Sequence, residues 1–293
     1  ANTHDLILLF TNTGRVYCKR VYEIPQGNRT SRGKAIVNLL ELRKGERVRR
    51  LLSIKEIQDG HFVVMATRNG LIKKTQLTDF ANIRATGIIA IDLEPQDALN
   101  DVDLTDGNKH IFLNTQQGMS IRFHEKQVRA MGRTAKGVRG ITLRENDAMM
   151  GMAILDPESN SYIATVCENG FGKRTVASEF SIQHRGGIGV ISIKTTERNG
   201  LVVGSQVVEE DDELMLITAL GKVIRMPVED ISSVGRNTQG VRLIRLEDNE
   251  RVVAVERLAE KADDTPSQEV ETSSQEDETS SQEDYDTPSE DVS

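Results

Sequence analysis

A unit of about 50 residues occurs five times along this chain. Each copy opens with an apolar run, a turn that ends in glycine, and a basic run, as in LILLFTNTGRVYCKR and FVVMATRNGLIKKT. The turn glycines are Gly14, Gly70, Gly118, Gly170 and Gly221, and a second glycine follows 17 or 19 residues later at Gly33, Gly87, Gly137, Gly189 and Gly240. A constant period of this size indicates a repeat protein.

The composition of each unit predicts short strands joined by tight turns. Glycine supplies the positive φ that such hairpins require, and the units are rich in Val, Ile and Leu. Each unit reads as about four strands, and one such sheet cannot bury both of its faces, so the copies must stack around an axis. The sequence therefore predicts an all-β, propeller-like ring or spiral of five four-stranded repeats at about 5–54, 61–104, 109–155, 161–208 and 213–258.

The charge of the chain is unevenly distributed. The net charge is −8, but 12 of the 45 acidic residues and none of the 37 Lys and Arg residues follow residue 261. We expect a β domain at 1–261 with a small positive charge, and an acidic tail at 262–293 that has too few apolar residues to fold.

Basic residues recur near both glycines of each repeat. Because equivalent positions of a repeat lie on equivalent edges, we expect these charges to form a stripe around the outside that binds DNA phosphates without reading bases. The alternative is that they only solubilise strand edges. The candidate DNA-binding residues are Arg15, Lys19, Arg20, Arg29, Arg32, Lys34, Lys73, Lys74, Arg84, Arg122, Arg129, Arg133, Lys136, Arg139, Lys173, Arg174, Arg185, Lys222, Arg225, Arg236 and Arg242.

Enzymatic sites find little support in the sequence. Gly27–Lys34 resembles a phosphate-binding loop, but it has five residues between its glycines and Ala35 where Ser or Thr would bind magnesium. The five histidines are scattered, and neither cysteine lies beside another metal ligand in the sequence. We predict no catalytic residue, no metal site and no cofactor in this chain, and a cytoplasmic location without membrane insertion.

Several segments carry a specific resemblance to a known family. These include GRVYCKRVYEIP, VRAMGRTAKGVRGI, GVISIKTTERNGLVVG and ISSVGRNTQGVRLIR. Over residues 1 to about 259 the chain resembles the C-terminal domain of the A subunit of bacterial DNA gyrase. The resemblance implies a β-pinwheel, in which blades exchange strands with their neighbours and a basic perimeter wraps DNA in a positive sense. It further implies an accessory role in ATP-dependent negative supercoiling. For the acidic tail, the resemblance suggests competition with DNA for the basic perimeter, so that truncation after Ala262 raises DNA affinity at low salt; the other interpretation is that the tail only aids solubility.

One departure from the family concerns its signature heptad Gln-Arg-Arg-Gly-Gly-Lys-Gly. That heptad belongs to the first of six blades, and this chain starts where the second would, so the nearest match is Gln183–Gly189 in the fourth repeat. The start at Ala1 suggests a fragment. The implied partners are duplex DNA, the remainder of the gyrase A protein and the gyrase B protein. ATP and magnesium are used elsewhere in the holoenzyme, and we expect a monomeric fragment at the bacterial nucleoid.

Two alternative functions remain. The first is the related C-terminal domain of the topoisomerase IV C protein, which has more degenerate blades and wraps DNA only modestly. The second is a propeller that binds proteins, although the absence of Trp excludes the WD signature. Retention on a heparin or DNA resin separates DNA binders from a protein scaffold.

Overall fold

Five β-sheets form the body of the protein, as a computed structural model that describes residues 2–27, 33–247 and 249–258 shows. Blade 1 contains β1 (Leu6–Thr11), β2 (Arg15–Arg20), β3 (Val48–Ile54) and β6 (Ile88–Ile89). Blade 2 contains β4 (Phe62–Thr67), β5 (Leu71–Gln76), β7 (Leu99–Thr105) and β10 (Val138–Arg139). Blade 3 contains β8 (His110–Thr115), β9 (Met119–His124), β11 (Met149–Leu155) and β14 (Val190–Ile191). Blade 4 contains β12 (Tyr162–Cys167), β13 (Phe171–Val176), β15 (Val202–Val208) and β18 (Val241–Arg242), and blade 5 contains β16 (Glu213–Thr218), β17 (Val223–Pro227) and β19 (Val252–Leu258).

The outermost strand of blades 1 to 4 comes from the following repeat. Blade 1, for example, is ordered β3-β1-β2-β6, and β6 pairs antiparallel with β2 through Arg15–Ile89 and Val16–Ile88. The strand exchange that the family resemblance implied is therefore confirmed, as is the all-β propeller.

The prediction of four strands in every repeat is wrong for the first repeat, which forms three strands, and the last blade is also three-stranded. Blade 5 has three strands, because the outer strand of each blade is donated by the next repeat and no sixth repeat follows in the described chain. In the first repeat, the segment after Gly33 forms a 3₁₀ helix (Ile36–Asn38) instead of a strand. That segment has no preceding blade among the described residues to which it could add a strand.

The turn glycines of the first four repeats have two physical reasons to be glycine, whereas Gly221 has only its positive φ. Gly14 has a φ of 75°, and a Cβ on it would lie 2.5 Å from the carbonyl oxygen of Ile91 in the following repeat. The backbone amides of Ala90 and Ile91 both donate to the carbonyl oxygen of Gly14, at 2.8 and 3.1 Å. The turn is thus also the place where the next repeat docks.

The hydrophobic core lies between the blades. Phe10 of blade 1 packs with Val63 and Met65 of blade 2 in one buried cluster, and the Phe10 and Phe80 rings meet edge to face at 5.9 Å. A similar contact joins Phe112 and Phe180 at 4.9 Å. Each blade therefore buries its faces against its neighbours, as stacking of the repeats requires.

The inner strands β3, β7, β11, β15 and β19 surround a central cavity of about 310 Å³. Arg50 reaches across it to Asp101 at 3.1 Å and to Glu256 of the last blade at 3.5 Å. The first and last blades thus meet at the centre, and the five sheets form a ring whose outer edge carries the donated strands.

A short 3₁₀ helix follows the second strand of every repeat. These helices span Val21–Glu23, Leu77–Phe80, Glu125–Gln127, Ala177–Glu179 and Val228–Asp230. In the described ranges, no helix has the length and apolar character needed to cross a membrane. The predicted acidic tail at 262–293 lies outside the described residues.

Candidate nucleic-acid interface

The outer edge of the ring carries an exposed set of the predicted basic residues. We call this edge the rim: it consists of β6, β10, β14 and β18 with the loops 81–87, 129–137, 181–189 and 232–240 that precede them. These loops approach the outer strands from the next repeat; some of their side chains, such as Ile83 and Met131, pack against the core, and others are exposed. The exposed rim bases are Arg84, Arg129, Lys136, Arg139 and Arg242.

Blade 1 extends the basic surface on its own strand β2. Arg20 is exposed, and Lys19 is half-buried and forms an ion pair with Glu23 at 3.4 Å. Lys34 is also exposed, in the segment of the first repeat that forms a 3₁₀ helix instead of a donated strand. Arg29 and Arg32, which the sequence also predicts as DNA ligands, lie outside the described residues.

Five predicted rim residues are instead buried, and the expectation that they form part of an exposed stripe is wrong. Their side chains extend between neighbouring blades, where carbonyl oxygens receive their hydrogen bonds. A buried cation that donates to backbone oxygen is held away from solvent and from phosphate. The buried residues are Lys73, Lys74, Arg122, Lys173 and Arg174.

One basic position recurs as a bridge to the next repeat, four residues after the turn glycine. Lys74 Nζ donates to the carbonyl oxygen of Glu125 and to its carboxylate, both at 3.2 Å. Arg122 Nη1 donates to the carbonyl oxygen of Ala177 at 2.8 Å, and Arg174 Nε donates to that of Ile231 at 2.8 Å. These acceptors lie in or next to the 3₁₀ helices, so the recurrent charge joins successive blades.

The preceding position holds a buried lysine in blades 2 and 4. Lys173 Nζ donates to the carbonyl oxygens of Gly235 and Arg236 at 2.7 and 2.6 Å. Lys73 Nζ donates to the carbonyl oxygen of Ala90 at 2.7 Å and to that of Arg133. Burial is the main cause that lowers the pKa of Lys73 to about 8, and it does the same for Lys173.

These two lysines give a testable dependence of stability on pH. Between their folded pKa of about 8 and the ordinary value of 10.5, the unfolded chain binds more protons, so their contribution to stability rises with pH. From pH 7 to 9.5, we expect the free energy of unfolding of the wild type to rise by about 1–2 kcal/mol per lysine relative to the double variant Lys73→Met, Lys173→Met. Urea unfolding at both pH values measures this difference, and parallel pH profiles would contradict it.

Four further predicted arginines are half-buried, with an exposure between that of the buried residues and that of the exposed ones. Arg15 Nη2 donates to the carbonyl oxygens of Thr86 and Gly87 at 2.6 and 2.9 Å. The other three, Arg133, Arg185 and Arg236, each donate to a carbonyl of an outer strand. Their guanidinium groups are therefore engaged with backbone.

In the last blade, the predicted basic residues are exposed but paired with acids. Lys222 lies 3.3 Å from Glu247 and 3.5 Å from Glu250, and Arg225 forms an ion pair with Glu213. Exposed pairs of this kind contribute little to stability. They also reduce the net charge that this blade offers to an anion.

Other basic residues were missed because their charge is not repeated in most of the repeats. Arg47, Arg49 and Arg68 line a cavity of about 320 Å³ on the side of the ring where the hairpin turns lie. Lys126 is exposed on the 3₁₀ helix of the third repeat. Comparison of the repeats could not select these positions, since the counterparts of Arg49, Arg68 and Lys126 in other blades are uncharged or acidic, and Arg47 has a basic counterpart only in Arg251 of the last blade.

Comparison with known proteins relates this chain to DNA gyrase, both through a family model and through individual relatives. A family model described as the DNA gyrase C-terminal domain, a β-propeller, matches residues 5–55, 61–106, 109–156, 161–209 and 212–259. The DNA gyrase A subunit of Salmonella typhimurium is 49% identical over 264 residues, which are 90% of this chain and 30% of the relative. The chain thus spans about 30% of the length of the curated relatives that it matches.

Two solved structures share the fold and about the same sequence identity. The C-terminal domain of DNA topoisomerase IV has a TM-score of 0.80 and 28% identity, with 88% of this chain and 80% of that one covered. The DNA gyrase A C-terminal domain has a TM-score of 0.76 and 29% identity, with 88% and 83% covered. The shape alone does not separate these two relatives.

Proposed function

Because the chain belongs to the DNA gyrase C-terminal domain family, we propose that its rim binds duplex DNA and bends it around the blades. The observation that carries the proposal is a set of exposed bases along the rim: Arg84 in the second repeat, Arg129, Lys136 and Arg139 in the third, and Arg242 in the fifth. DNA presents an array of phosphates, and cations distributed along a convex edge complement it.

Binding of this kind does not depend on base sequence. The rim presents short two-residue strands and loops, whereas base readout uses a helix or ribbon inserted in the major groove. Smooth bending of 20–30 base pairs costs about 1–6 kcal/mol, which phosphate contacts distributed over several blades can offset. The rim thus acts through charge and curvature.

In the longer enzyme, we propose an accessory role for this chain. Its relatives are named as the A protein of DNA gyrase, and the chain corresponds to about 30% of their length. The proposal is that the wrapped DNA is presented to the rest of the gyrase A protein and to the gyrase B protein, which supply strand passage and ATP hydrolysis with magnesium. The chain itself would then need no cofactor and would act at the bacterial nucleoid.

A salt titration tests the DNA-binding proposal. We expect the logarithm of the association constant for a 40-base-pair duplex to fall linearly with the logarithm of salt concentration, with a slope of about −0.9 for each phosphate contact. With five exposed rim bases the slope should be about −4 or steeper. A slope near zero, or no binding at low salt, would favour the protein-scaffold alternative.

The topoisomerase IV alternative keeps structural support because its C-terminal domain has a TM-score of 0.80. Both candidates bind DNA, so the salt titration does not separate them. The linking-number change trapped per bound protein does, because the topoisomerase IV domain is expected to wrap DNA only modestly. Sequence identity of 49% to a DNA gyrase A protein favours the larger change.

A further inference from the structure

Three arginines occupy the same position in successive repeats, four residues before the second glycine. Arg133, Arg185 and Arg236 each precede a donated strand, and each reaches the donated strand of the preceding blade. Arg133 Nη1 donates to the carbonyl oxygen of Ile89 at 3.3 Å, and Arg236 Nη1 donates to that of Ile191 at 3.0 Å. Arg185 Nη1 donates to the carbonyl oxygen of Arg139. We call these three residues the clasp arginines.

The clasps connect outer strands in an unbroken series. Arg133 lies in the loop before β10 of blade 2 and donates to Ile89 in β6 of blade 1. In the same way, Arg185 joins the outer strands of blades 2 and 3, and Arg236 joins those of blades 3 and 4. Each clasp therefore crosses one blade boundary at the outer edge of the ring.

The backbone that carries each clasp is itself fixed. Lys73 donates to the carbonyl oxygen of Arg133, and Lys173 to that of Arg236. In blade 3, Ile121 occupies the position of the buried lysine, and Gln127 holds Arg185 in its place. Its Oε1 accepts from the amide of Arg185 at 2.8 Å, and its carbonyl oxygen accepts from Nε at 3.2 Å. The clasp position is thus held by a buried lysine in blades 2 and 4 and by a glutamine in blade 3.

The consequence for the rim is geometric. The inner strands fix the spacing of the blades near the centre, and the clasps fix the spacing of the outer strands. Together these two spacings define the angle between neighbouring blades. Because DNA on the rim follows the outer strands, the angle between neighbouring blades determines how strongly the bound DNA is curved.

We infer that Arg133, Arg185 and Arg236 are positioning residues that set the curvature of the rim, and with it the writhe of bound DNA, through outer-strand carbonyls and not through phosphate contact. The inference rests on the proposed function. It separates the basic residues of one repeat pattern into two roles: the exposed bases bind DNA, and the clasps shape its path.

The test uses the full chain with Arg133→Lys, Arg185→Lys and Arg236→Lys combined. Lysine keeps the charge but lacks the planar guanidinium, which donates to an outer-strand carbonyl in all three clasps and also to the Gln127 carbonyl in Arg185. We expect the affinity for a nicked plasmid to stay within about twofold of the wild type. After ligation at saturating protein, the linking-number change per bound molecule should fall to about half or less, because a change in curvature alters writhe without altering charge.

The matched control applies the same exchange to three exposed arginines outside the rim, Arg43→Lys, Arg144→Lys and Arg251→Lys. These side chains neither hold an outer strand nor lie on the proposed DNA path, so both the affinity and the linking-number change should stay at the wild-type values. Thermal unfolding of all variants shows that the compared proteins are folded. The three single clasp variants are measured as well, and each is expected to lose part of the linking-number change.

The outcomes are distinct. If the wild type traps a linking-number change and neither the single nor the combined clasp variants alter it, the clasps do not set curvature and this inference fails. If affinity and linking-number change fall in parallel in the clasp variants, the arginines bind phosphate and the inference also fails. If the wild type neither binds DNA nor changes its linking number, the proposed function itself fails.

Discussion

Replacing Arg129, Lys136 and Arg139 with methionine should weaken DNA binding by one to two orders of magnitude at about 0.1 M salt. All three side chains are exposed on the rim in the third repeat. Each lost phosphate contact releases fewer counterions on binding, so the salt slope should become less steep by about 2.7 for three contacts. Fluorescence anisotropy with a labelled duplex over a range of salt concentrations measures both quantities.

The control removes the same charge elsewhere. Lys55, Arg68 and Arg144 are exposed but lie outside the rim, so their replacement by methionine changes the net charge equally. We expect an affinity within about threefold of the wild type and an unchanged slope, since charges beyond a Debye length of about 10 Å are screened. Equal losses in the two triple variants would show that general charge, and not the rim, binds the DNA.

The largest effect on stability is expected for Lys74→Met. Glu125 is fully buried, and its carboxylate lies 3.2 Å from Lys74 Nζ. It keeps hydrogen bonds from the Thr105 hydroxyl and the Lys109 amide after the substitution, but it loses its only counter-ion in the described part of the chain. Removal of one partner of a buried ion pair costs about 3–5 kcal/mol. Denaturant unfolding should show this loss.

Two further variants identify its cause. Arg225 occupies the equivalent position of the last blade, where its side chain is exposed and paired with Glu213, so Arg225→Met should cost less than about 1 kcal/mol. Adding Glu125→Gln to Lys74→Met should recover part of the stability, because the buried carboxylate charge is gone. A loss for Lys74→Met no larger than that for Arg225→Met would mean that the buried pair does not join the blades.

The five blades were predictable from the sequence because a glycine marks the hairpin turn of each repeat. The turn glycines repeat at a nearly constant period, and each has a positive φ in the structure. The donated strand was not predictable from pattern alone. A strand of two residues such as Val138–Arg139 is too short to show an alternation, and nothing in it identifies the sheet that it joins. That feature came from the family resemblance.

The site was predicted in part, and the errors have one cause. Lys73 and Lys74 are adjacent in β5 and so point to opposite faces of the sheet, yet both are buried. β5 lies inside its blade between β10 and β4, and neighbouring blades cover both faces of such a strand. Recurrence in register showed that these charges matter, but it could not distinguish a bridge between blades from a phosphate ligand. The exposed rim residues lie in the loops before the second glycine or in the two-residue outer strands that follow it, at the edge of each sheet.

Ligation of a nicked plasmid in the presence of increasing amounts of the chain shows whether the rim wraps DNA. We expect a positive linking-number change that grows with bound protein and disappears at high salt, because the basic rim curves DNA with a defined hand. Salt-sensitive binding with no change in linking number would contradict it, since the protein would then hold DNA without imposing a path on it.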